Sequence, residues 1–248
     1  MSQVNVKFIL SYDGTDYNGF QSQSNGNTIE DYLKKAISKI TNVQTTIYCA
    51  GRTDSGVHAE GQVINFYTDK INMNTDNWLN AVNSLLPKDI RILKCELVDN
   101  NFHSRRSTLF REYHYNIINS PVISALQNRY AAHCSYPLDI ELLKKYAECL
   151  VGEHDFTSFC ALSDTNKSKV RLMHSINIDK NGEMLTIKFI ANAFLHKMIR
   201  NIVGTFLMLH KFEKSADEIK RIIESKDRKM AGPTYMARGL VFKKVYYK

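Results

Sequence analysis

The sequence predicts an α+β protein made of two similar β-α-β-β-α-β units, each with a mostly antiparallel sheet and helices on one face. Three observations support this. Strand-like stretches with β-branched and aromatic residues alternate with stretches whose apolar residues recur at helical spacing. The order of elements in the first half returns in the second, although no residue-level repeat accompanies it. Finally, 248 residues with 44% hydrophobic content, 11 Gly and 4 Pro form an ordered globular chain able to bury one large core or two small ones. The division falls after residue 106, giving subdomains 1–106 and 107–248, whose sheets can join edge to edge.

The first unit opens with a strand over Val4 to Ser11. A helix follows, with Thr28 as N-cap, Asp31 three residues on, and Ile29, Leu33, Ile37 and Ile40 on one face. Gln44 to Cys49 and Gln62 to Thr68 have strand character and flank a loop. A second helix, Asp76 to Leu86, presents Trp78, Leu79, Val82 and Leu86 and stops at Pro87, ahead of a strand over Ile90 to Val98. The second unit has a strand over Phe110 to Ile118 and a helix over Asp139 to Val151 that ends at Gly152. Strands over Val170 to Asp179 and Met184 to Ala191 come next. A long apolar helix from Ala193 to about Leu209, a short one over Ala216 to Glu224, and a strand over Leu240 to Tyr246 complete the order.

Charge narrows the partners. Lys and Arg number 33 against 25 acidic residues, a formal charge of +8, which favours a polyanion such as nucleic acid or an anionic membrane. Residues 211–248 hold eleven of the bases against five acids, enough for a stripe that tracks phosphates or simply for a solvated surface. The five cysteines, at 49, 95, 134, 149 and 160, never form C-x-x-C, so they suggest buried thiols rather than a disulfide framework or zinc ribbon. Lys7 and Asp13 interrupt the N-terminus too early for a secretory signal. The uncharged run between Arg200 and Lys211 is too short for a membrane span of ~20 residues. A soluble cytoplasmic protein, not associated with membrane, is expected.

Three segments carry chemistry. Residues 50–59, Ala-Gly-Arg-Thr-Asp-Ser-Gly-Val-His-Ala, form a loop of small and polar residues centred on Asp54. Gly51 and Gly56 relax the backbone, and Ala50, Ser55 and Ala59 leave room for a ligand beside the carboxylate; a solvated hairpin loop has the same composition. In the apolar helix from Ala193, Asn192, His196 and Arg200 recur every four residues and line one face, with Gly204 leaving space a turn further on. An Arg there either meets a carboxylate or phosphate, Asp54 being a candidate, or emerges at the rim into water. The third segment, Phe102 to Tyr115, interleaves bases with rings. Strand alternation puts Arg111, Tyr113 and Tyr115 on one face and Glu112 and His114 on the other. Such tyrosines stack on unpaired bases in RNA-binding sheets, or serve as core residues with a wet hydroxyl.

Together these segments resemble the TruA branch of the tRNA pseudouridine synthases. The resemblance rests on Cys49 to Ala59 and on five further stretches or groups in the family's order. These are Tyr12-Asp-Gly-Thr-Asp-Tyr-Asn-Gly-Phe-Gln21; Phe102-His-Ser-Arg105 with Arg111-Glu-Tyr113; His154-Asp-Phe-Thr-Ser-Phe159; Ala191 to Gly204; and Ala231-Gly-Pro-Thr234 with Gly239-Leu240. It covers nearly the whole chain. One departure stands in it: Tyr235-Met236-Ala237 occupies the place of the family's common Ala-Pro-Ala, at a pocket wall.

The resemblance implies isomerisation of uridine to pseudouridine in the anticodon stem-loop of tRNA, at positions thirty-eight to forty, with no cofactor, metal or cosubstrate. Asp54 carries over as the catalytic carboxylate, either nucleophile at C1′ or base at C2′. Arg200 carries over as its ion-pair partner, and Tyr113 as the ring packed on the target uracil. Arg52 helps open the stem and replace the flipped nucleotide. Leu240 forms an apolar wall. His58, His103, Arg105, Asn192 and His196 fall in matching motifs and are expected to bind substrate, while Lys167, Lys169 and Arg171 are plausible phosphate contacts. A homodimer with tRNA across both subunits is also implied. Two alternatives compete. A nucleoside hydrolase would want two carboxylates flanking the bond, and near Asp54 only Glu60 is offered. An RNA-binding or tRNA-folding protein without essential chemistry would tolerate loss of the Asp54 charge.

Overall fold

A computed structural model describes residues 3–248; Met1 and Ser2, which the expected N-terminal subdomain includes, lie outside the described residues. In chain order the elements are β1 (Val4–Tyr12), α1 (Ile29–Thr41), β2 (Tyr48–Cys49), β3 (His58–Thr68), α2 (Thr75–Leu85), β4 (Ile90–Val98), β5 (Thr108–Asn119), β6 (Ala132–Cys134), α3 (Ile140–Glu148), β7 (Gly152–Asp155), β8 (Val170–Asn181), β9 (Met184–Ala191), α4 (Met198–Lys211), α5 (Asp217–Ser225) and β10 (Leu240–Tyr247). They fall into two compact units, Met1–Leu109 with Val241–Lys248, and Phe110–Leu240. The class is α+β with mostly antiparallel strand pairing, as the sequence pattern implies.

The first unit has strand order β4-β1-β3-β10, with β2 on β3. The β1 pairings are antiparallel, whereas β10 joins β3 in parallel through Val241 opposite His58 and Phe242 opposite Ala59. Alternation puts Val6, Phe8, Leu10 and Tyr12 in the core. There Trp78 of α2 meets Phe8 and Phe66 edge-on, with ring centroids 6.3 and 5.4 Å away. Thr28 and Asp31 form the expected capping box on α1. Its buried stripe is Ile29, Leu33, Ala36 and Ile37, while Ile40 is half-buried. The strand expected over Gln44 to Cys49 shrinks to two residues. Thr41 and Thr45 donate their hydroxyls to the Val43 carbonyl, closing a turn after α1 that competes with a sheet ladder.

The second unit runs β5-β9-β8-β7, all antiparallel, with β6 parallel to β5. Both β6 and β7, three and four residues long, escaped the sequence pattern because so short a run carries no period. Helix α3 begins at its Asp139 cap but ends at Glu148, short of Val151. The largest correction concerns α4, which starts at Met198 rather than Ala193. Residues 192–197 form a non-helical linker instead, with Leu195 buried and Asn192 and His196 exposed. Asn192 exchanges bonds with Leu172 through its N–H and side-chain oxygen, and the His196 N–H donates to the Asp164 carboxylate. Lys197 then turns left-handed at φ 61°, which ends any continuous helix. The linker buries Leu195, so its apolar content mimics the helix that follows. Among the described residues no helix is long and apolar enough to cross a membrane.

Candidate active site

In the first unit the Asp54 loop is held from both ends by backbone bonds. The Ala50 N–H donates to the Val63 carbonyl at 2.9 Å, and the Phe20 N–H to the Thr53 carbonyl at 3.0 Å. Beneath it lie buried side chains: the Tyr12 hydroxyl bonds Thr53 Oγ1 at 2.8 Å, and the Gln62 amide donates to the Gly51 carbonyl at 2.7 Å. Ser55 Oγ donates to the Tyr17 carbonyl, and Val57 N–H to that of Asp54, closing a turn through Gly56 at φ 76°. Glycine is required at two facing positions of the segment after β1. A Cβ on Gly14 would lie 2.0 Å from the Val57 carbonyl oxygen, and one on Gly19, itself at φ 84°, 2.7 Å from that of Thr53. These glycines, with Tyr12 and Gln62, are supports that composition alone did not single out; the paired glycines of Tyr12 to Gln21 were the signal. Asp54 is thereby half-buried on a fixed backbone, a state in which a carboxylate can act as nucleophile or base.

Arg52 points outward from this loop and is exposed. His58, only 5% exposed, turns inward, its Nδ1 3.1 Å from both the Gly14 N–H and the Asp13 carboxylate. It therefore fixes the turn after β1 more than it offers a surface. His103 caps its own turn, accepting from the Arg105 N–H at 3.1 Å, and its ring packs on Tyr48 at 4.6 Å. Burial, with the Arg106 charge beside it, lowers its pKa and disfavours the charged ring. Arg105 is exposed at the tip of that turn. The turn itself is held by Asn65, which accepts from the Ser104 N–H while donating to Asn5.

In the second unit the alternation along β5 is as expected. Arg111, Tyr113 and Tyr115 are buried on one face, while Glu112 and His114 pair at 2.7 Å on the other. Arg111 donates to the Asn192 carbonyl at 2.6 Å, and Phe194 meets the Tyr113 ring edge-on at 5.0 Å. Tyr115 is a core residue, 0% exposed, whose hydroxyl donates to the Met236 carbonyl. Asn192, His196 and Arg200 do not line one helical face, because the first two belong to the linker; both are exposed, and Arg200 is half-buried in the first turn of α4. Its Nε donates to the Tyr235 carbonyl at 2.8 Å, and its own carbonyl accepts from the Tyr235 N–H at 3.0 Å. Leu240 is buried, 7% exposed.

The space expected above Gly204 is filled. A Cβ there would lie 1.8 Å from the Pro233 carbonyl oxygen, and one on Gly232 would lie 2.6 Å from the carbonyl oxygen of Gly204, so the segment 231–234 lies directly on α4. Asn201, 0% exposed, ties this contact together, donating to the Phe159 carbonyl and accepting from Thr234 and Arg228. Nothing in the sequence marked Asn201 out, since a single polar residue in an apolar helix has no period. The expected phosphate contacts divide. Lys167 is exposed, but Lys169 is engaged with Asp164 at 2.6 Å, and Arg171 bonds the carbonyls of Ser168 and Val170. Burial opposes charge on Asp164, whose side chain is 2% exposed. The Lys169 amine and the N–H groups of His196 and Asn166 outweigh it and hold the carboxyl well below the usual range.

A family model for tRNA pseudouridine synthase matches residues 9–105 and 146–248. A tRNA pseudouridine synthase A of Brevibacillus brevis is 38% identical over 98% of this chain and 99% of its own. That of Brachyspira hyodysenteriae is 40% identical over 98% of each chain. In a solved Cbf5–Nop10–Gar1 complex, a chain overlays 82% of this one and 44% of itself at a TM-score of 0.39 and 12% identity, too loose a likeness to carry weight. The glycine-braced Asp54 loop and the Arg200 turn both fall inside the matched residues, and the relatives match end to end: this chain belongs to the tRNA pseudouridine synthases, a family of isomerases.

Proposed function

We propose that the protein isomerises uridine to pseudouridine in the anticodon stem-loop of tRNA, at positions thirty-eight to forty, with Asp54 as the catalytic carboxylate. The observation that carries this reading is a half-buried carboxylate on a loop whose backbone is locked on both sides, inside residues matched by the family model. In the reaction the N1–C1′ bond breaks, the uracil turns while held, and C5 bonds to C1′. The C5 proton leaves and N1 gains one, so product and substrate are isomers. Asp54 acts at C1′ as nucleophile or at C2′ as base. Arg200 neutralises and orients it, Tyr113 packs on the uracil, Leu240 walls the pocket, and exposed Arg52 replaces the flipped nucleotide in the stem. His58, His103, Arg105, Asn192 and His196 support substrate binding, the buried His58 through the loop it fixes. A cytoplasmic homodimer holding one tRNA across both subunits suits a net charge of +8, since two modest basic surfaces then combine.

The test is single-turnover incubation with unmodified transcript tRNA, followed by nucleoside analysis, beside Asp54→Asn and Asp54→Ala. Pseudouridine in the anticodon arm from the wild type alone, with variant tRNA affinity within a few-fold, is the expected result. Turnover retained in both variants overturns the assignment of Asp54. Release of free uracil identifies a hydrolase, and binding without product identifies a tRNA-binding protein.

A further inference from the structure

The segment that departs from the family pattern, Tyr235-Met236, makes more contacts to Arg200 and its surroundings than a passive wall requires. Tyr235 and Arg200 exchange two bonds: the Arg200 Nε donates to the Tyr235 carbonyl at 2.8 Å, and the Tyr235 N–H to the Arg200 carbonyl at 3.0 Å. Two phenols fix the backbone that makes these bonds. The Tyr235 hydroxyl donates to the His133 carbonyl on β6 at 2.6 Å, and the Tyr115 hydroxyl, from β5, donates to the neighbouring Met236 carbonyl. The two rings lie 6.3 Å apart. Burial pushes both phenol pKa values up, so each remains a proton donor at any working pH. Gly239 closes the segment against Tyr115, whose ring a Cβ there would meet at 2.8 Å.

A guanidinium has three nitrogens in one rigid plane, so a bond at Nε to a fixed carbonyl sets the orientation of the other two. A carbonyl carried on an unanchored loop would not do this. We propose that Tyr235 is a positioning residue for the reaction: its phenol, braced on His133, holds its carbonyl where it orients the Arg200 guanidinium. The proposal rests on the assignment of Arg200 as the partner of the catalytic carboxylate. Tyr235 touches no reacting atom in this scheme and acts only through Arg200.

The test uses the full-length protein with Tyr235→Phe, which removes the brace and keeps the ring. Hydrogen exchange at the Arg200 Nε–H, followed by NMR, should accelerate by roughly ten-fold or more, and the single-turnover rate should fall by about ten-fold, as small misplacements of catalytic groups do. Affinity for tRNA should stay within about two-fold, so the loss appears in kcat rather than KM. An unchanged Nε–H exchange, or an unchanged rate per folded molecule beside a lowered Tm, overturns the proposal. Arg200→Met is run in parallel. If it turns over like the wild type, the assignment of Arg200 fails, while Nε–H exchange in Tyr235→Phe still judges the brace on its own.

Discussion

The Asp54 loop and the Arg200 turn are stabilised in opposite ways. Around Asp54 the polar backbone is bonded outward to neighbouring strands and to the turn after β1, and glycines let carbonyls approach to van der Waals contact. Around Arg200 a packed helix comes first, and a loop is laid onto it through Gly204 and the buried Asn201. The first arrangement concentrates precision in a few backbone bonds. The second spreads it over a core contact. Substitutions should therefore separate rate from stability in the first region and couple them in the second.

Gly204→Ala should show the coupling most strongly. Its Cβ would lie 1.8 Å from a backbone oxygen that cannot move without lifting the 231–234 segment. We expect a loss on the order of 3 kcal/mol and roughly ten degrees in Tm, with activity falling alongside, measured by thermal melts and single-turnover assays. A soluble variant with wild-type Tm and rate would break the comparison. Gly19→Ala should separate the two properties. The added Cβ meets the Thr53 carbonyl oxygen at 2.7 Å and strains a φ of 84°, displacing the residue before Asp54. A rate reduced by roughly a hundred-fold beside a loss of only about 1–2 kcal/mol is expected.

The Asp164–Lys169 pair sharpens the comparison through pH. Because the folded carboxyl is held below its ordinary 3.8, its stabilisation is fully present above that value and is lost as pH falls below it towards the folded pKa. Asp164→Asn should thus be less stable than wild type at neutral pH, yet lose less stability on acidification. Parallel acid-unfolding curves would show that the pair contributes nothing. The smallest effect belongs to Thr28→Ala, which removes the α1 cap and should cost about 1 kcal/mol with the rate unchanged. A large rate loss there would mean that the cap, through the Ile29 N–H bond to the Gly19 carbonyl, also sets the Asp54 loop.

The sequence was most legible where the signal is local. The capping box of α1, the boundaries of β4 and β9, and the alternation along β5 all appear as read, because each depends on near neighbours and a regular period. The Asp54 loop was legible for the same reason. The Ala193 start of α4 was misread because hydrophobic periodicity reports burial, and a linker that buries Leu195 beside Phe194 has the same apolar composition as a helix. The linker's conformation depends on Asp164 and Leu172, residues distant in sequence. Likewise Gly204 reads as open space, whereas the protein's own Pro233 fills it. Asn201 carried no signal, since its partners lie on other elements, and Tyr235 stood out only as a departure from the family pattern, with nothing to show that it bonds Arg200.

The route of the chain sets a schedule for synthesis. Residues 241–248 return to the first unit, where β10 pairs beside β3 at His58 and Ala59, immediately after the Asp54 loop, and Gly61 admits the backbone of Lys243 with no room for a side chain. On the ribosome, the second unit can be translated and begin to fold while the first still lacks a strand, because domains form as units once their residues emerge. The strand beside the Asp54 loop leaves the exit tunnel only after the whole second unit has done so. An incomplete nascent chain would present an unpaired β3 edge, so early release or C-terminal trimming would yield a sticky product rather than a weakly active one.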